Sequence, residues 1–411
     1  YDVVITEIGG CVGDIESLPF IEALRQFKFD IGPSNCSVIH LTLVPFLKAS
    51  GELKTKPTQH SVKTLLEAGI QPDILVCRSE KSLPKEIRKK IALFCNVPMN
   101  GVIEAQDAES IYDVPIMMLK EQLDVRVMSK LKLKSKGSPK IDHWKAFLGQ
   151  LKNPTAEIHI GLIGKYVELH DAYKSINEAV IHAGSVNESK VHIHWISSDG
   201  LTKENISKEM KNLNGIIVAP GFGERGIDGK IEAVKYARTN NIPFFGICLG
   251  MQCAVIEFAR NVLSLKNAES TEVNEKSKFP VIDIMPEQKK IKNKGGTMRL
   301  GAYACDLKKD SLAFKLYTKK KISERHRHRY EFNNDYLKDF EEKGMIASGI
   351  NPENKLVEIV EIPKHAFFIG TQYHPEAEPV SMEKHFKLEE NKTKVIESFG
   401  EEKYNQMMFR M

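Results

Sequence analysis

Short apolar runs alternate along the chain with segments whose apolar positions recur at helical spacing. The runs that predict strands are 3–7, 37–43, 73–78, 158–163, 191–196, 215–219 and 366–372. The segments that predict helices are 15–26, 62–68, 84–94, 172–183, 231–239 and 251–262. Strands and helices in alternation indicate βαβ units. We therefore predict an α/β protein with two doubly wound, mainly parallel-sheet domains joined by a linker, and ligand sites at the carboxyl ends of the strands.

The clearest domain boundary is a stretch rich in lysine, serine, glycine and proline at residues 129–142. Such a composition is typical of an exposed linker. A short amphipathic helix is predicted directly after it, at 143–151. We predict a first domain at 1–128, a linker at 129–155 and a second domain at 156–411.

The composition narrows the class of protein. The chain has 411 residues, 42% of them hydrophobic and 27% charged, and a net charge of +5, which gives no case for a nucleic-acid partner. Seven cysteines without a Cys-x-x-Cys pair argue against a disulfide framework and a zinc site. The most apolar stretch, 242–259, contains Pro243 and Glu257 and predicts no membrane span. We expect a cytoplasmic protein with neither a nucleic-acid nor a membrane partner.

Cys248 is the strongest candidate for chemistry. It lies between Gly246 and Gly250, after the apolar run 242–245 and before the helix predicted at 251–262. Small neighbours on a strand-to-helix turn are typical of a nucleophile elbow, and a helix N-terminus stabilises a thiolate. A buried structural cysteine in an α/β core would have the same local sequence, so both interpretations stay open at this point.

Residues far downstream favour the nucleophile. The strand predicted at 366–372 leads to His374 and Glu376, which share one side of an extended segment. An imidazole can take the thiol proton while a carboxylate fixes its tautomer. The glycine-rich turn at 220–226 can offer backbone amides to an oxyanion, although a plain loop would look similar. Together these residues predict acyl transfer through a thioester.

Three polar segments outside this group are candidate binding sites. A glycine-rich turn carries Glu7, Asp14 and Glu16, which could hold a cation or a sugar hydroxyl. The lysines and hydroxyls of 54–59 suit triphosphate oxygens. The basic strand predicted at 324–331 could contact a carboxylate or a phosphate. Ordinary loops are the alternative for the first two, and a nucleic-acid patch is the alternative for the third.

These motifs resemble those of two related families. Three of them are similar to class I triad glutamine amidotransferases: Pro-Gly-Phe-Gly at 220–223, Gly-Ile-Cys-Leu-Gly-Met-Gln at 246–252 and Tyr-His-Pro-Glu at 373–376. Four more, at 7–17, 54–59, 164–169 and 325–331, extend the likeness. With them, the chain resembles the CTP synthase family from its first residues to about 376.

The resemblance implies roles for individual residues. Cys248 would be the nucleophile of a triad with His374 and Glu376. The glutamine-binding residues would be Gly221, Leu249, Gly250, Met251, Gln252, Glu272 and Arg329. Glu7 would be a ligand of Mg²⁺. The nucleotide-binding residues would be Asp14, Ile15 and Glu16 for CTP, Lys54, Thr55, Lys56, Pro57, Thr58, Gln59 and Lys90 for UTP or CTP, and Asp107, Ala108 and Glu109 near the base of ATP.

The resemblance also implies a reaction. ATP would phosphorylate the 4-oxygen of UTP, and ammonia from glutamine would displace that phosphate. The family implies a homotetramer, GTP as allosteric activator and CTP as feedback inhibitor. Two other hypotheses are a free-standing glutaminase, which the nucleotide motifs argue against, and a non-catalytic scaffold, which the complete triad argues against.

The sequence departs from the family in two places. It contains no Gly-x-x-x-x-Gly-Lys-Ser/Thr loop, which the family places upstream, and residues 377–411 differ from the usual ending. The absent loop is one reason to expect a fragment. A strand pattern that starts at Tyr1 without an initiator methionine is another.

We predict that the 411-residue chain alone makes no CTP from UTP, because phosphate binding by the missing loop is required. Joining the upstream segment to the chain should restore synthesis. CTP yield with ATP, UTP and glutamine is the measurement, and a measurable yield from the chain alone would refute the expectation.

Overall fold

The computed structural model describes residues 3–134, 137–284 and 298–377. The chain divides into two compact units, Tyr1–Lys140 and Ile141–Met411, which we call the N-terminal and C-terminal units. Their division falls inside the predicted linker. The predicted tail lies outside the described residues, except for its first residue. Within the described ranges, no helix combines the length and the apolar character that crossing a membrane requires.

The N-terminal unit is built on a parallel sheet. Its elements are α1 (Leu18–Ile31), β1 (Ile39–Leu43), β2 (Phe46–Leu47), β3 (Glu52–Leu53), α2 (Lys56–Glu67), β4 (Ile74–Ser79), α3 (Lys85–Cys95), β5 (Val102–Gln106), α4 (Val114–Lys120) and α5 (Leu123–Lys130). Strands β1, β4 and β5 pair in that order, all parallel. The apolar sides of α2 and α3 pack on them through Val62 and Ile91.

The strand predicted at residues 3–7 is wrong. This segment has no regular structure, and Ile5 is 93% exposed. A strand requires a neighbour that accepts and donates its backbone hydrogen bonds. No strand that the structure describes pairs with this segment.

The C-terminal unit contains a nine-stranded sheet. Its elements are α6 (Asp142–Lys152), β6 (Ala156–Gly164), α7 (Lys174–Val186), β7 (Ser189–Ser197), α8 (Ile206–Glu209), β8 (Gly215–Val218), α9 (Ile227–Thr239), β9 (Phe244–Ile247), α10 (Leu249–Asn261), β10 (Glu269–Ser270), β11 (Pro280–Ile284), β12 (Arg299–Leu307), α11 (Leu312–Tyr317), β13 (Lys321–His328), β14 (Tyr330–Phe332), α12 (Leu337–Lys343), β15 (Ile346–Ile350), β16 (Val357–Glu361) and β17 (Phe368–Thr371).

The strand order in this sheet is β13-β12-β15-β16-β17-β9-β8-β6-β7. Strands β7, β6, β8, β9 and β17 are parallel, which confirms the α/β class. The remaining strands are antiparallel, an extension that the sequence pattern did not reveal. Since β9 and β17 are neighbours, the residues that follow them meet at one edge of the sheet.

Helix α10 lies directly on the strand ends because two glycines permit the approach. A Cβ built at Gly246 would be 2.7 Å from the carbonyl carbon of Gly250. A Cβ built at Gly250 would overlap the carbonyl oxygen of Val218 and lie 3.0 Å from its carbonyl carbon. Any side chain at these positions would force the helix away from the sheet.

We predict that Gly250→Ala destabilises the C-terminal unit by roughly 1–3 kcal/mol, because the added methyl group meets rigid backbone. Gly149→Ala is the control. A Cβ at Gly149 in α6 meets nothing within 4 Å, so alanine there should raise stability by about 0.5–1 kcal/mol. Urea unfolding of both variants measures the difference. Equal stability of the two would contradict the steric argument.

Candidate active site

Cys248 occupies a strained position at the start of α10. It is buried, with φ 52° and ψ −102°, a conformation that residues with a side chain rarely adopt. Its backbone N–H donates to the carbonyl oxygen of Thr371 at 2.7 Å, which joins the turn to the end of β17. The amides of the first turn of α10 have no acceptor within the helix and point toward its N-terminus, where Cys248 lies. This geometry is that of a nucleophile elbow.

His374 and Glu376 meet next to this turn. Nδ1 of His374 lies 2.9 Å from Oε1 of Glu376. The two residues were predicted to share one side of an extended segment, and that local conformation is wrong. Strand β17 ends at Thr371, and a 3-10 turn at Pro375–Ala377 brings the carboxylate back to the imidazole.

The surroundings of His374 favour its charged form. Burial lowers its pKa, but the interactions with the Cys248 thiol and with Glu376 outweigh burial and raise the pKa to about 10. Nε2 of His374 is buried and makes no hydrogen bond to any residue that the structure describes. An imidazolium beside Cys248 at neutral pH is the partner that a thiolate needs.

Gln372 is a contact that sequence reasoning missed. Its Nε2 donates to Sγ of Cys248 at 3.6 Å, and its Oε1 accepts from Nε2 of Gln252 at 3.2 Å. Gln252 also donates to the carbonyl oxygen of Tyr330 at 2.9 Å. The one signal in the sequence was the position of Gln372 at the exit of a predicted strand, two residues before His374. Its amide therefore contacts the sulfur of the candidate nucleophile.

The predicted oxyanion turn lies beside the elbow. A Cβ at Gly221 would be 3.4 Å from Cδ2 of Leu249, the residue that follows the nucleophile. The N–H of Gly223 donates to Oε1 of Glu272 at 2.8 Å, so this carboxylate holds the turn. The turn therefore lies against the first residue of α10.

The other residues predicted to bind glutamine are buried or half-buried. Met251 is fully buried, and a Cβ built at Gly370 would lie 3.1 Å from its Cγ. Gly250 is in contact with Val218, and Arg329 is half-buried between β13 and β14. Roles in glutamine binding stay predictions for Gly221, Leu249, Gly250, Met251, Gln252, Glu272 and Arg329.

A buried polar layer lies on β12, β13, β14 and β16. Arg299 donates to Glu331 at 3.2 Å and to Glu358 at 2.7 Å. His326 and His328 lie 2.9 Å apart between ring nitrogens, and burial lowers the pKa of His326 to about 3, so that it is neutral. The sequence predicted a basic strand with two polar faces. Alternation in a strand gives the faces, but it does not tell which one is buried.

The residues predicted to bind UTP or CTP lie at the start of α2 and on α3. Thr55 and Thr58 are buried at the start of α2, where Thr58 donates to the carbonyl oxygen of Leu43 at 3.0 Å. Nζ of Lys54 lies 2.6 Å from Glu52. The remaining positions are Lys56 and Pro57 in the first turn of α2, Gln59, which donates to Thr55 at 3.0 Å, and exposed Lys90 on α3.

Two further groups of predicted residues are exposed. Asp107 pairs with Arg78 at 3.0 Å, and Ala108 and Glu109 follow it on the surface. Oδ2 of Asp14 accepts from the N–H of Cys11 at 3.0 Å. Ile15 and Glu16 follow in a 3-10 turn, and Glu7 is an exposed carboxylate. No group of three metal-ligating side chains is found among residues that the structure describes.

The C-terminal unit thus combines an open α/β sheet with a cysteine elbow, a histidine–carboxylate pair and a glycine turn. These features define the class I glutamine amidotransferases. The family model described as "Glutamine amidotransferase class-I" matches residues 168–391, and the model described as "CTP synthase N-terminus" matches residues 1–133.

Relatives of high sequence identity are CTP synthases. The chain is 68% identical to CTP synthase of Cytophaga hutchinsonii and 60% identical to that of Flavobacterium johnsoniae, in each case over 92% of this chain and 70% of the relative. It is also similar to a solved structure, "Trypanosoma brucei CTPS - glutaminase domain with bound acivicin", at 35% identity and a TM-score of 0.52, covering 57% of this chain and 92% of that one. The chain belongs to the CTP synthase family.

The family consists of glutamine-hydrolysing ligases of pyrimidine biosynthesis, which aminate UTP and so act on nucleotides. The sequence interpretation is confirmed at this level, for the family, the fold class and the reaction type.

We predict that Glu376→Gln lowers kcat for glutamine hydrolysis by roughly 10²-fold or more, because the imidazolium loses its orienting charge. The same loss should move the pKa of His374 down from about 10, since the carboxylate stabilises the charged ring. NMR titration of the ring and the pH dependence of kcat measure the two effects. Glu342→Gln, at an exposed position of α12, is the control. An unchanged pKa of His374 in Glu376→Gln would contradict the assignment.

Proposed function

We propose that the C-terminal unit hydrolyses glutamine at Cys248 and so supplies the ammonia with which the family's synthetase half aminates UTP to CTP. The observation that supports this most directly is the 2.9 Å contact between His374 and Glu376 beside the strained elbow of Cys248. A buried structural cysteine needs neither a positive φ nor a charged histidine.

The proposed hydrolysis has two halves. The Cys248 thiolate attacks the side-chain amide carbon of glutamine, and the first amides of α10 with the turn at Gly221 stabilise the oxyanion. The C–N bond breaks as His374 donates its proton to the leaving nitrogen, which releases ammonia and leaves a thioester. His374 then takes a proton from water, which attacks the thioester and releases glutamate.

The amination half of the proposal involves the N-terminal unit. Lys54 and Lys90 both act on the carboxyl of Glu52, Lys54 more strongly, and together lower its pKa, so positive charge gathers near the start of α2. Such charge suits the phosphates of UTP, of the product and inhibitor CTP, and of ATP. Mg²⁺ is commonly held by one or two carboxylates together with phosphates, and Glu7 is the candidate ligand. The described residues form no complete metal site.

Three further properties belong to the proposal, supported by membership of the family alone. They are activation by GTP, assembly as a homotetramer and a cytoplasmic location.

We predict that a glutamine-like chloroketone labels Cys248 alone and that Cys248→Ala abolishes glutamine hydrolysis. Cys253→Ala is the matched control, because this neighbour on α10 is fully buried and burial raises its pKa to about 12. Mass spectrometry of the labelled chain and ammonia release are the measurements. Hydrolysis that survives in Cys248→Ala, or label on Cys253, would overturn the proposal.

A further inference from the structure

Lys230 is a buried cation that the proposed hydrolysis does not use. It lies on α9 with none of its surface exposed, although lysine is almost never fully buried without a charged partner. Its Nζ donates to the carbonyl oxygen of Ala219 at 2.6 Å. Among the residues that the structure describes, no carboxylate forms an ion pair with it. A buried ammonium with one carbonyl partner lowers the stability of the fold, which indicates a role other than stability.

The position of Lys230 connects it to the oxyanion turn. Ala219 directly follows β8 and precedes Pro220 and Gly221. A Cβ at Gly221 would lie 3.7 Å from Nζ of Lys230 and 3.5 Å from Cε of Lys165. Nζ of Lys165 donates to the carbonyl oxygen of Phe222. Two ammonium groups therefore hold the carbonyls on either side of Gly221.

We propose that Lys230 is a positioning residue for glutamine hydrolysis. Its ammonium fixes the Ala219 carbonyl and the Gly221 turn, and it places positive charge beside the oxyanion that forms at Cys248. The inference rests on the proposed function of Cys248. A fixed charge in a water-poor interior acts much more strongly than one in solvent, and it needs no reorganisation when the oxyanion forms.

The charge state of Lys230 makes the proposal measurable. Burial lowers its pKa to about 8. Three neighbours raise the pKa of Lys230: Cys253 on α10, Cys248 at the elbow before α10, and Asp199. Lys165, which directly follows β6, lowers it. The ammonium is present at neutral pH and is lost as pH rises through about 8. We therefore expect kcat for glutamine hydrolysis to fall above that pH.

The test compares Lys230→Met and Lys230→Arg in the full 411-residue chain, with glutamine as substrate. In Lys230→Met, kcat should fall about 10- to 100-fold with KM little changed, and the decline near pH 8 should disappear. Lys230→Arg keeps its charge at every pH used, so it should recover most of kcat and also lack that decline. Lys235→Met on the same helix should behave as the unchanged chain.

Each outcome is decisive. An unchanged kcat in Lys230→Met, or an unchanged chain whose kcat shows no decline near pH 8, overturns the proposal, and the second measurement needs no variant to fold. If the unchanged chain neither hydrolyses glutamine nor reacts with the chloroketone at Cys248, the proposed function fails instead. Thermal melting of each variant separates loss of fold from loss of rate.

Discussion

The direct contact of α10 with the strand ends is the constraint on which the active site depends. With no side chain at Gly246 or Gly250, the helix starts immediately after β9, and Cys248 is held at φ 52°. The strain of that conformation is offset by the packing around it. The same contact directs the first amides of α10 toward the sulfur. Nucleophile, helix N-terminus and oxyanion turn are therefore consequences of one steric fact.

Charge around the site is distributed unequally. On the side of β12 and β13, Arg299 forms ion pairs with both Glu331 and Glu358, and burial keeps His326 neutral. On the side of α9, Lys230 has a carbonyl partner only, among the residues described. The Lys230 ammonium interacts favourably with negative charge at Cys248. Such an interaction is built by folding and requires no movement during the reaction.

Sequence patterns predicted most of the parallel strands, because apolar runs are local signals. They also singled out Cys248, His374 and Glu376, whose catalytic roles stay predictions. They did not reveal the antiparallel half of the sheet, since pairing between β12 and β13 depends on contacts that no local pattern records. The contact of Gln372 with Cys248 and the burial of Lys230 were missed for the same reason. Residues 3–7 show the converse: a pattern with strand propensity stays irregular without a neighbouring strand.

The pairing of β9 with β17 has a consequence for biosynthesis. Cys248 and Gln372 are separated by 124 residues, and His374 follows two positions later. During translation the cysteine leaves the ribosome long before its histidine exists, and non-local pairing of this kind forms slowly. Cys248 therefore has no histidine partner until β17 and the turn that follows it have been made.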